Sequence, residues 1–393
     1  MCPGRRRLER FWDGQRLKFV WNKLEVLSLD GRSRPVALTM NGRQYRRGLD
    51  GNCKEIVRVA GPTERDLYDA VPMAASQMDD LLREWSQRIS SWMPFEVEDW
   101  LVGLRRDARN FCSIYQPVSI LPPDQYRSLV FQLTEGCAYN RCSFCQLYQD
   151  RPYRCKDRQS FSRHIGRVLE YFGPALPWRR GVFLGDANAA GISTARLSEA
   201  LEQIRQSLPC DGTDQQGAPR HPLQFEQVSS FQDTFSGRLR AVQDWRQLRK
   251  LGLDQVHLGI ESGSSAVLDL LRKPIESGRV VEMINRLQQA DIRVSLIFLL
   301  GAGGRELAHS HVHGTLELLQ RVQLRAQDRV YLSDLLVHPG SDYHVLSQEL
   351  GITPLTRWEC REQARTLRES LRYEPPPRGP AVALYDVRQF VYV

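Results

Sequence analysis

The chain lacks any run of about twenty apolar residues, the length a helix needs to cross a bilayer. Its basic start, with Arg5, Arg6, Arg7 and Arg10, is not followed by the apolar stretch of about 7 to 15 residues that marks a secretory signal. The expectation is a cytoplasmic protein with no membrane partner. Cysteine is sparse as well, nine in 393 residues, and six of them (Cys2, Cys53, Cys112, Cys155, Cys210 and Cys360) are scattered. In a reducing compartment such isolated thiols are expected to be buried or idle, not paired as a disulfide framework. Formal charge is +8, yet Lys and Arg are interleaved with acids, which argues for a solvated surface and against a nucleic-acid track. With 41% hydrophobic and 25% charged residues the chain can bury a sizeable core, as two or three domains or as one large barrel with an appendage.

The other three cysteines stand together. Cys137, Cys142 and Cys145 lie in Glu135-Gly-Cys-Ala-Tyr-Asn-Arg-Cys-Ser-Phe-Cys-Gln-Leu-Tyr148, with no fourth cysteine beside them. A closed structural zinc site takes four ligands, and a [4Fe-4S] cluster has four irons to hold. Three thiolates on such a cluster leave one iron open, the arrangement required if the cluster is to act on a ligand instead of only passing electrons. Cys155 follows in Arg-Cys-Lys-Asp, where no spacing marks it as a fourth ligand.

Strand and turn patterns fill residues 17–60, punctuated by Asp30-Gly31, Asn41-Gly42 and Asp50-Gly51, which are hairpin signals. Helical spacing takes over from Thr63 to Asn110, through Leu67, Val71, Met78, Leu81, Leu82 and Trp85 and again through Val97, Trp100, Leu101 and Leu104. After Pro122 and Pro123, strands at 127–134, 181–185, 225–230, 255–260, 293–300 and 329–333 alternate with helical segments. Strands separated by single helices run parallel, so about six βα units are expected. The predicted fold class is α/β: a partial (βα)6-type parallel barrel over 121–340, a small N-terminal α+β domain over 1–120, and a short C-terminal extension over 341–393. That extension reads as a helix from about 356 to 373, a Pro-rich linker and a docked strand over 385–392. In any such sheet the ligand site lies at the carboxyl ends of the strands.

The unusual residues sit at those ends. The cysteines follow the first strand, Gly185-Asp186-Ala-Asn188 the second, Asp233 the third, Glu261-Ser262-Gly263 the fourth and Gly301-Ala-Gly303-Gly304 the fifth. This ordered set, from Arg127 to Ser341, resembles the radical S-adenosylmethionine superfamily. Its usual cysteine spacing is three then two intervening residues; here it is four then two, a departure some branches share. The resemblance implies a [4Fe-4S] cluster on Cys137, Cys142 and Cys145, with the open iron gripping the amino and carboxylate groups of S-adenosylmethionine. Gly185 and Asp186 match the motif that lends backbone oxygens to the amino group, with Asp in place of the usual second Gly. Glu261 falls where relatives contact the ribose, Ser295 at a second ribose contact, and Lys273, with Arg272 as competitor, at the cation for the methionine carboxylate. Gly301 matches the glycine stretch near the adenine, and Phe144 resembles the residue whose backbone meets that base. The implied activity is reductive cleavage to a 5'-deoxyadenosyl radical that abstracts hydrogen from an unidentified substrate. An external one-electron reductant of flavodoxin or ferredoxin type is the implied partner. A non-catalytic iron-sulfur redox sensor and a zinc-bearing binding module are the alternatives.

Elsewhere the signals are weaker. The basic stretch Gly42-Arg-Gln-Tyr-Arg-Arg-Gly-Leu-Asp-Gly51 gives the front segment its claim on a substrate or partner, Asp233 and His257 are candidates for substrate contact, and His309, His311 and His313, two residues apart, would spread around a helix and form no metal face.

Overall fold

The computed structural model describes residues 8–12, 16–58, 68–89, 96–208, 227–371 and 379–393. Cys2, Cys210, Arg5, Arg6, Arg7, Leu67, the start of the strand expected from Phe225 and most of the Pro-rich linker lie outside the described residues.

The front of the chain is an antiparallel meander. Strands β1 (Leu8–Trp12), β2 (Leu17–Trp21), β3 (Glu25–Leu29), β4 (Pro35–Met40), β5 (Arg43–Arg47), β6 (Cys53–Arg58) and β7 (Tyr68–Met73) lie side by side in chain order. Asn41 and Gly42 take φ values of 51° and 74°, the paired left-handed conformations of a two-residue hairpin, and so set Met40 opposite Arg43. Helices α1 (Ala75–Ile89) and α2 (Val97–Ile114) cover one face of the sheet. Their apolar stripe, Met78, Leu82, Trp85, Leu101 and Leu104, packs on Phe19, Leu27, Leu38 and Met40.

The helical reading of the segment around Val71 is corrected: Tyr68–Met73 is strand β7, paired with β6 from Cys53↔Met73 to Arg58↔Tyr68. Pro72 explains the difference. It cannot occupy a helix interior, but at the edge of a sheet its missing N–H costs little. The basic stretch also changes meaning, because it forms β5 and its arginines are used internally. Arg47 is buried and donates to the Leu104 carbonyl (3.0 Å), Arg46 donates to that of Gln389 (3.1 Å), and Arg43 pairs with Glu55 (3.3 Å).

The second sheet is parallel. After β8 (Leu129–Gln132), a short ribbon of β9 (Thr134–Glu135) and β10 (Arg154–Cys155) closes off the loop that carries the cysteines. Then follow α3 (Arg158–Phe172), β11 (Val182–Gly185), α4 (Thr194–Ser207), β12 (Val228–Gln232), α5 (Val242–Lys250) and β13 (Leu253–Glu261). The chain continues through α6 (Ser265–Leu270), α7 (Ser277–Gln289), β14 (Arg293–Leu300), α8 (Ala308–Arg321) and β15 (Arg329–Asp334). Two further helices, α9 (Asp342–Glu349) and α10 (Arg357–Ser370), precede β16 (Ala381–Tyr385). Each strand pairs in parallel with its predecessor, and the edges β8 and β16 stay apart, so the barrel is open. The strands are buried on both faces: on β13, Val256, Leu258 and Ile260 join the apolar core on one face, while the buried polar residues Gln255 and His257 occupy the other.

The sheet therefore has seven strands, one more than the six βα units expected. The tail strand ends at Tyr385 instead of starting there, since Asp386 caps the following turn through the Arg388 N–H (3.0 Å). Residues 387–393 run between the two sheets. Lys54 donates to the carbonyls of Arg388 (2.7 Å) and Phe390 (2.8 Å), and the Tyr392 hydroxyl bonds Val130 N and Ser128 O beside β8, each at 3.0 Å. Among the described residues no helix is long and apolar enough to cross a membrane.

Candidate functional site

The cysteine loop leaves β9 and is tied down on three sides. At its base, Lys156 pairs with Glu135 (2.5 Å) and its N–H bonds the Leu133 carbonyl. In its middle, Ser143 donates through N to the Leu271 carbonyl (3.1 Å) and through Oγ to that of Leu270 (2.7 Å), while its own carbonyl accepts from Tyr343 N (2.9 Å). The longer first interval, Cys137 to Cys142, holds Asn140 at φ 43°, a left-handed conformation that asparagine tolerates better than most residues. That turn lets the Asn140 N–H donate to the Cys137 sulfur (3.4 Å). Tyr139 on the same loop meets the Phe235 ring at 4.8 Å and donates to the Arg272 carbonyl (2.6 Å).

All three thiols are half-buried. Burial pushes the Cys142 thiol up to about 12, with Lys273 opposing and Cys145, Glu261 and Cys137 adding to the rise. Burial likewise raises Cys145, against a hydrogen bond from the Leu147 backbone. The three sulfurs, Glu261 and Lys273 therefore share one electrostatic neighbourhood. Cys155 lies apart from it on β10, opposite Thr134.

Gly185 ends β11, paired with Gln132, and Asp186 turns back under the cysteine loop. The Asp186 carboxylate accepts from Gly136 N (3.2 Å) and Gln132 Nε2 (3.4 Å), and its backbone N–H donates to Thr134 Oγ1 (2.9 Å). Burial raises its pKa to about 6 against the pull of Arg151. Its side chain thus braces the residue before Cys137.

Glu261 closes β13 after an irregularity in the β13–β14 register, with φ at 64°. Its carboxylate holds Lys273 Nζ at 2.5 Å, and the same ammonium donates to the Gly259 carbonyl at 2.9 Å. Burial works to lower the Lys273 pKa, but Glu261 and the neighbouring thiols overcome it and raise the ammonium above its ordinary value. Gly259 was not singled out from sequence, yet it makes the pair possible: a Cβ there would lie 2.6 Å from Glu261 Oε1 and 3.0 Å from Lys273 Nζ. Arg272, the alternative cation, points to the surface and pairs with Asp342.

The turn after Glu261 is clamped to α8. His311 Nδ1 bonds Ser262 Oγ (2.8 Å), Gly263 N donates to Thr315 Oγ1 (3.1 Å), and Ser264 and Ser310 share a bond of 2.7 Å. Here two backbones touch, since a Cβ on Gly263 would fall 2.1 Å from the Gly314 carbonyl oxygen. His311 is thus a buried brace, distinct from His309 and His313, which stack on each other at 5.9 Å.

Phe144 packs on Leu271, Leu299, Ala302 and Tyr343, which brings it to the glycine stretch after β14. Gly301 opens that stretch, its N–H donating to Gln363 Oε1 (2.9 Å). Ser295 is not with the others. It pairs with His257 low in the sheet and accepts from Gln255 Nε2 (2.7 Å), well before β14 reaches its carboxyl end. His257 is fully buried among Phe183, Phe231 and Tyr331, and Asp233 is used by Asn188 (2.6 Å) and Ser236 (2.5 Å).

Comparison with known proteins bears on this arrangement. Residues 131–319 match the family described as the Radical SAM superfamily. No curated protein matches the chain. Among solved structures, coproporphyrinogen III oxidase HemN of Escherichia coli, a radical SAM enzyme, is 12% identical over 62% of this chain and 52% of its own, with a TM-score of 0.45. The radical S-adenosylmethionine methyltransferase TsrM of Kitasatospora setae, solved with cobalamin and a [4Fe-4S] cluster, is 16% identical over 60% and 44%, with a TM-score of 0.40. Methylornithine synthase PylB is 14% identical over 74% and 73%, with a TM-score of 0.38. The chain thus spans about half the length of the first of these (52%). Residues 131–319, which take in the cysteine loop, the Glu261–Lys273 pair and the glycine stretch, thus form a domain that matches the radical SAM superfamily.

Proposed function

We propose that this chain is a radical S-adenosylmethionine enzyme in which Cys137, Cys142 and Cys145 hold three irons of a [4Fe-4S] cluster and S-adenosylmethionine takes the fourth. The observation that carries the reading is that Ser143 and Tyr139 tie the cysteine loop to the carbonyls of Leu270, Leu271 and Arg272, which brings the buried Glu261–Lys273 pair, from a strand end far along the chain, beside Cys142 and Cys145. The residues fit the cluster. Backbone N–H groups of Asn140 and Leu147 already donate to two of the sulfurs, as cluster thiolates require.

Bound together, cluster and S-adenosylmethionine supply reductive cleavage to methionine and a 5'-deoxyadenosyl radical, which takes hydrogen from the substrate. The protein's part is to bind, orient and keep out water. Lys273 offers its ammonium to the methionine carboxylate, and Glu261 offers acceptor oxygens to the ribose hydroxyls; without ligand each satisfies the other. The backbone at Gly185 and Asp186 presents oxygens to the amino group, while Phe144 and Gly301 border the adenine. Ser295 is left out of this assignment. An external donor of flavodoxin or ferredoxin type, a cytoplasmic location, and an organisation into a front domain (1–120), a barrel (121–340) and an extension (341–393) that returns β16 to the edge of the barrel sheet complete the proposal.

Anaerobic reconstitution with iron and sulfide tests the ligand set. Wild-type protein and Cys155→Ala should each take up about four irons per chain, and Cys142→Ala should not. Equal uptake by Cys142→Ala would remove the three-cysteine assignment.

A further inference from the structure

A groove of about 990 Å³ lies where the loops after β11 and β12 meet α7. Four guanidinium groups line it, from Arg238, Arg240, Arg279 and Arg286, against one carboxylate, Asp244. Three of the four are held by backbone carbonyls. Arg240 donates to those of Ala190 (3.0 Å) and Ile192 (2.5 Å), Arg279 to those of Thr234 (2.7 Å) and Gly237 (2.7 Å), and Arg286 to those of Leu239 (3.3 Å) and Arg240 (3.1 Å). Carbonyls satisfy N–H groups but do not cancel a unit charge. Glu282 answers Arg286 (2.7 Å), and burial lowers Arg240 to about 10 with only Asp244 opposing. Arg238 is exposed and has no hydrogen-bond or ion-pair partner among the described residues.

Two helices also begin at this groove, α4 after Ser193 and α5 after Ala241, and neither has a side-chain cap on its first N–H groups. Uncapped helix starts attract anions, and forked guanidiniums match an anion with several oxygens. Gln232 adds a buried amide oxygen with no partner, an acceptor for a ligand hydroxyl or N–H. The groove adjoins the centre already described, because the loop bearing Ser236 and Gly237 carries Phe235, which rests on Tyr139 of the cysteine loop.

We propose that this groove binds a phosphoryl group of a small-molecule substrate. A carboxylate offers two oxygens and would leave much of the donor array unmet; a phosphoryl group offers three or more. The volume is that of a small-molecule site. Calling the ligand a substrate rests on the proposed function; the anion site does not.

Isothermal titration of the full chain with pyrophosphate, without cluster reconstitution, tests the proposal. Saturable binding is expected, weakened about tenfold or more by Arg238→Glu. Arg246→Glu, which makes the same charge change at an exposed position of α5 outside the groove, should weaken it by less than about twofold. Absence of saturable binding, or equal weakening by both variants, would overturn the site. Tighter binding of a single-stranded oligonucleotide with the same dependence on Arg238 would overturn the small-molecule assignment. None of these outcomes depends on 5'-deoxyadenosine formation, so failure here and failure of the radical reading are separable.

Discussion

Glu261 reaches its place through a backbone conformation that few side chains adopt willingly, at a cost of about 1 to 3 kcal/mol. Three contacts hold it there: the bond to Lys273, the space left by Gly259, and the His311–Ser262 bond one residue on. Removing the carboxylate would strand a buried ammonium, so Glu261→Ala is expected to lower stability by about 3 to 5 kcal/mol, read from urea midpoints. Gly259→Ala makes a finer test. Its methyl group would push the pair apart while leaving both charges and the strand in place, so affinity of the reconstituted protein for S-adenosylmethionine should fall about tenfold or more, or about 1.4 kcal/mol, with a smaller loss of stability than in Glu261→Ala. Equilibrium dialysis showing unchanged affinity would remove the pair from the cofactor site. The sequence made Glu261 and Lys273 visible because acid and base sit at recognisable distances past a strand. Gly259 was hidden, since the clash it avoids is with residues that only folding brings beside it. Ser295 shows the converse: a sequence says that a residue is in a strand, but not how far below the strand end its neighbours hold it.

Between elements, buried histidines act as fixed braces. His164 Nε2 accepts from the Gln132 N–H (3.0 Å), joining α3 to β8 beneath the cysteine loop, and His311 joins α8 to the turn after β13. Burial lowers His164 to about 3, and His257 and His311 to about 4. In the unfolded chain each takes up a proton near pH 6.5, whereas the folded protein resists it. Their contribution to stability is therefore complete above about pH 6.5 and is lost as pH falls toward 4. Urea midpoints should decline across that window, and His311→Asn should flatten the decline; a midpoint constant from pH 7.5 to 4.5 would contradict the assignment. The βα alternation that carries these braces was legible because long periodic segments declare themselves. Strands β3, β5 and β7 were less so, as short strands with charged or proline-bearing sequences depend on their sheet neighbours to become strands at all.

At the scale of the whole molecule, the final residues join the two sheets. Tyr392 buries its ring among Phe111, Tyr115 and Phe172 and bonds the backbone on both sides of Leu129. Tyr392→Phe should cost about 1 to 3 kcal/mol by leaving buried backbone groups unpaired, and Tyr392→Ala about 3 to 5 kcal/mol, both read from chemical denaturation; an unchanged midpoint for the alanine variant would mean the tail does not hold the sheets together. The sequence suggested a docked tail but not its partner, because Tyr392 follows closely on the strand at one edge of the barrel sheet yet reaches β8 at the opposite edge. The central claim concerns the chemistry at the open end of this assembly. The most direct test is to reduce the anaerobically reconstituted protein with dithionite in the presence of S-adenosylmethionine and to quantify 5'-deoxyadenosine. It should form alongside methionine and be absent with Cys142→Ala. A protein that carries its full cluster yet forms none, under conditions in which an established radical S-adenosylmethionine enzyme does, would contradict the account.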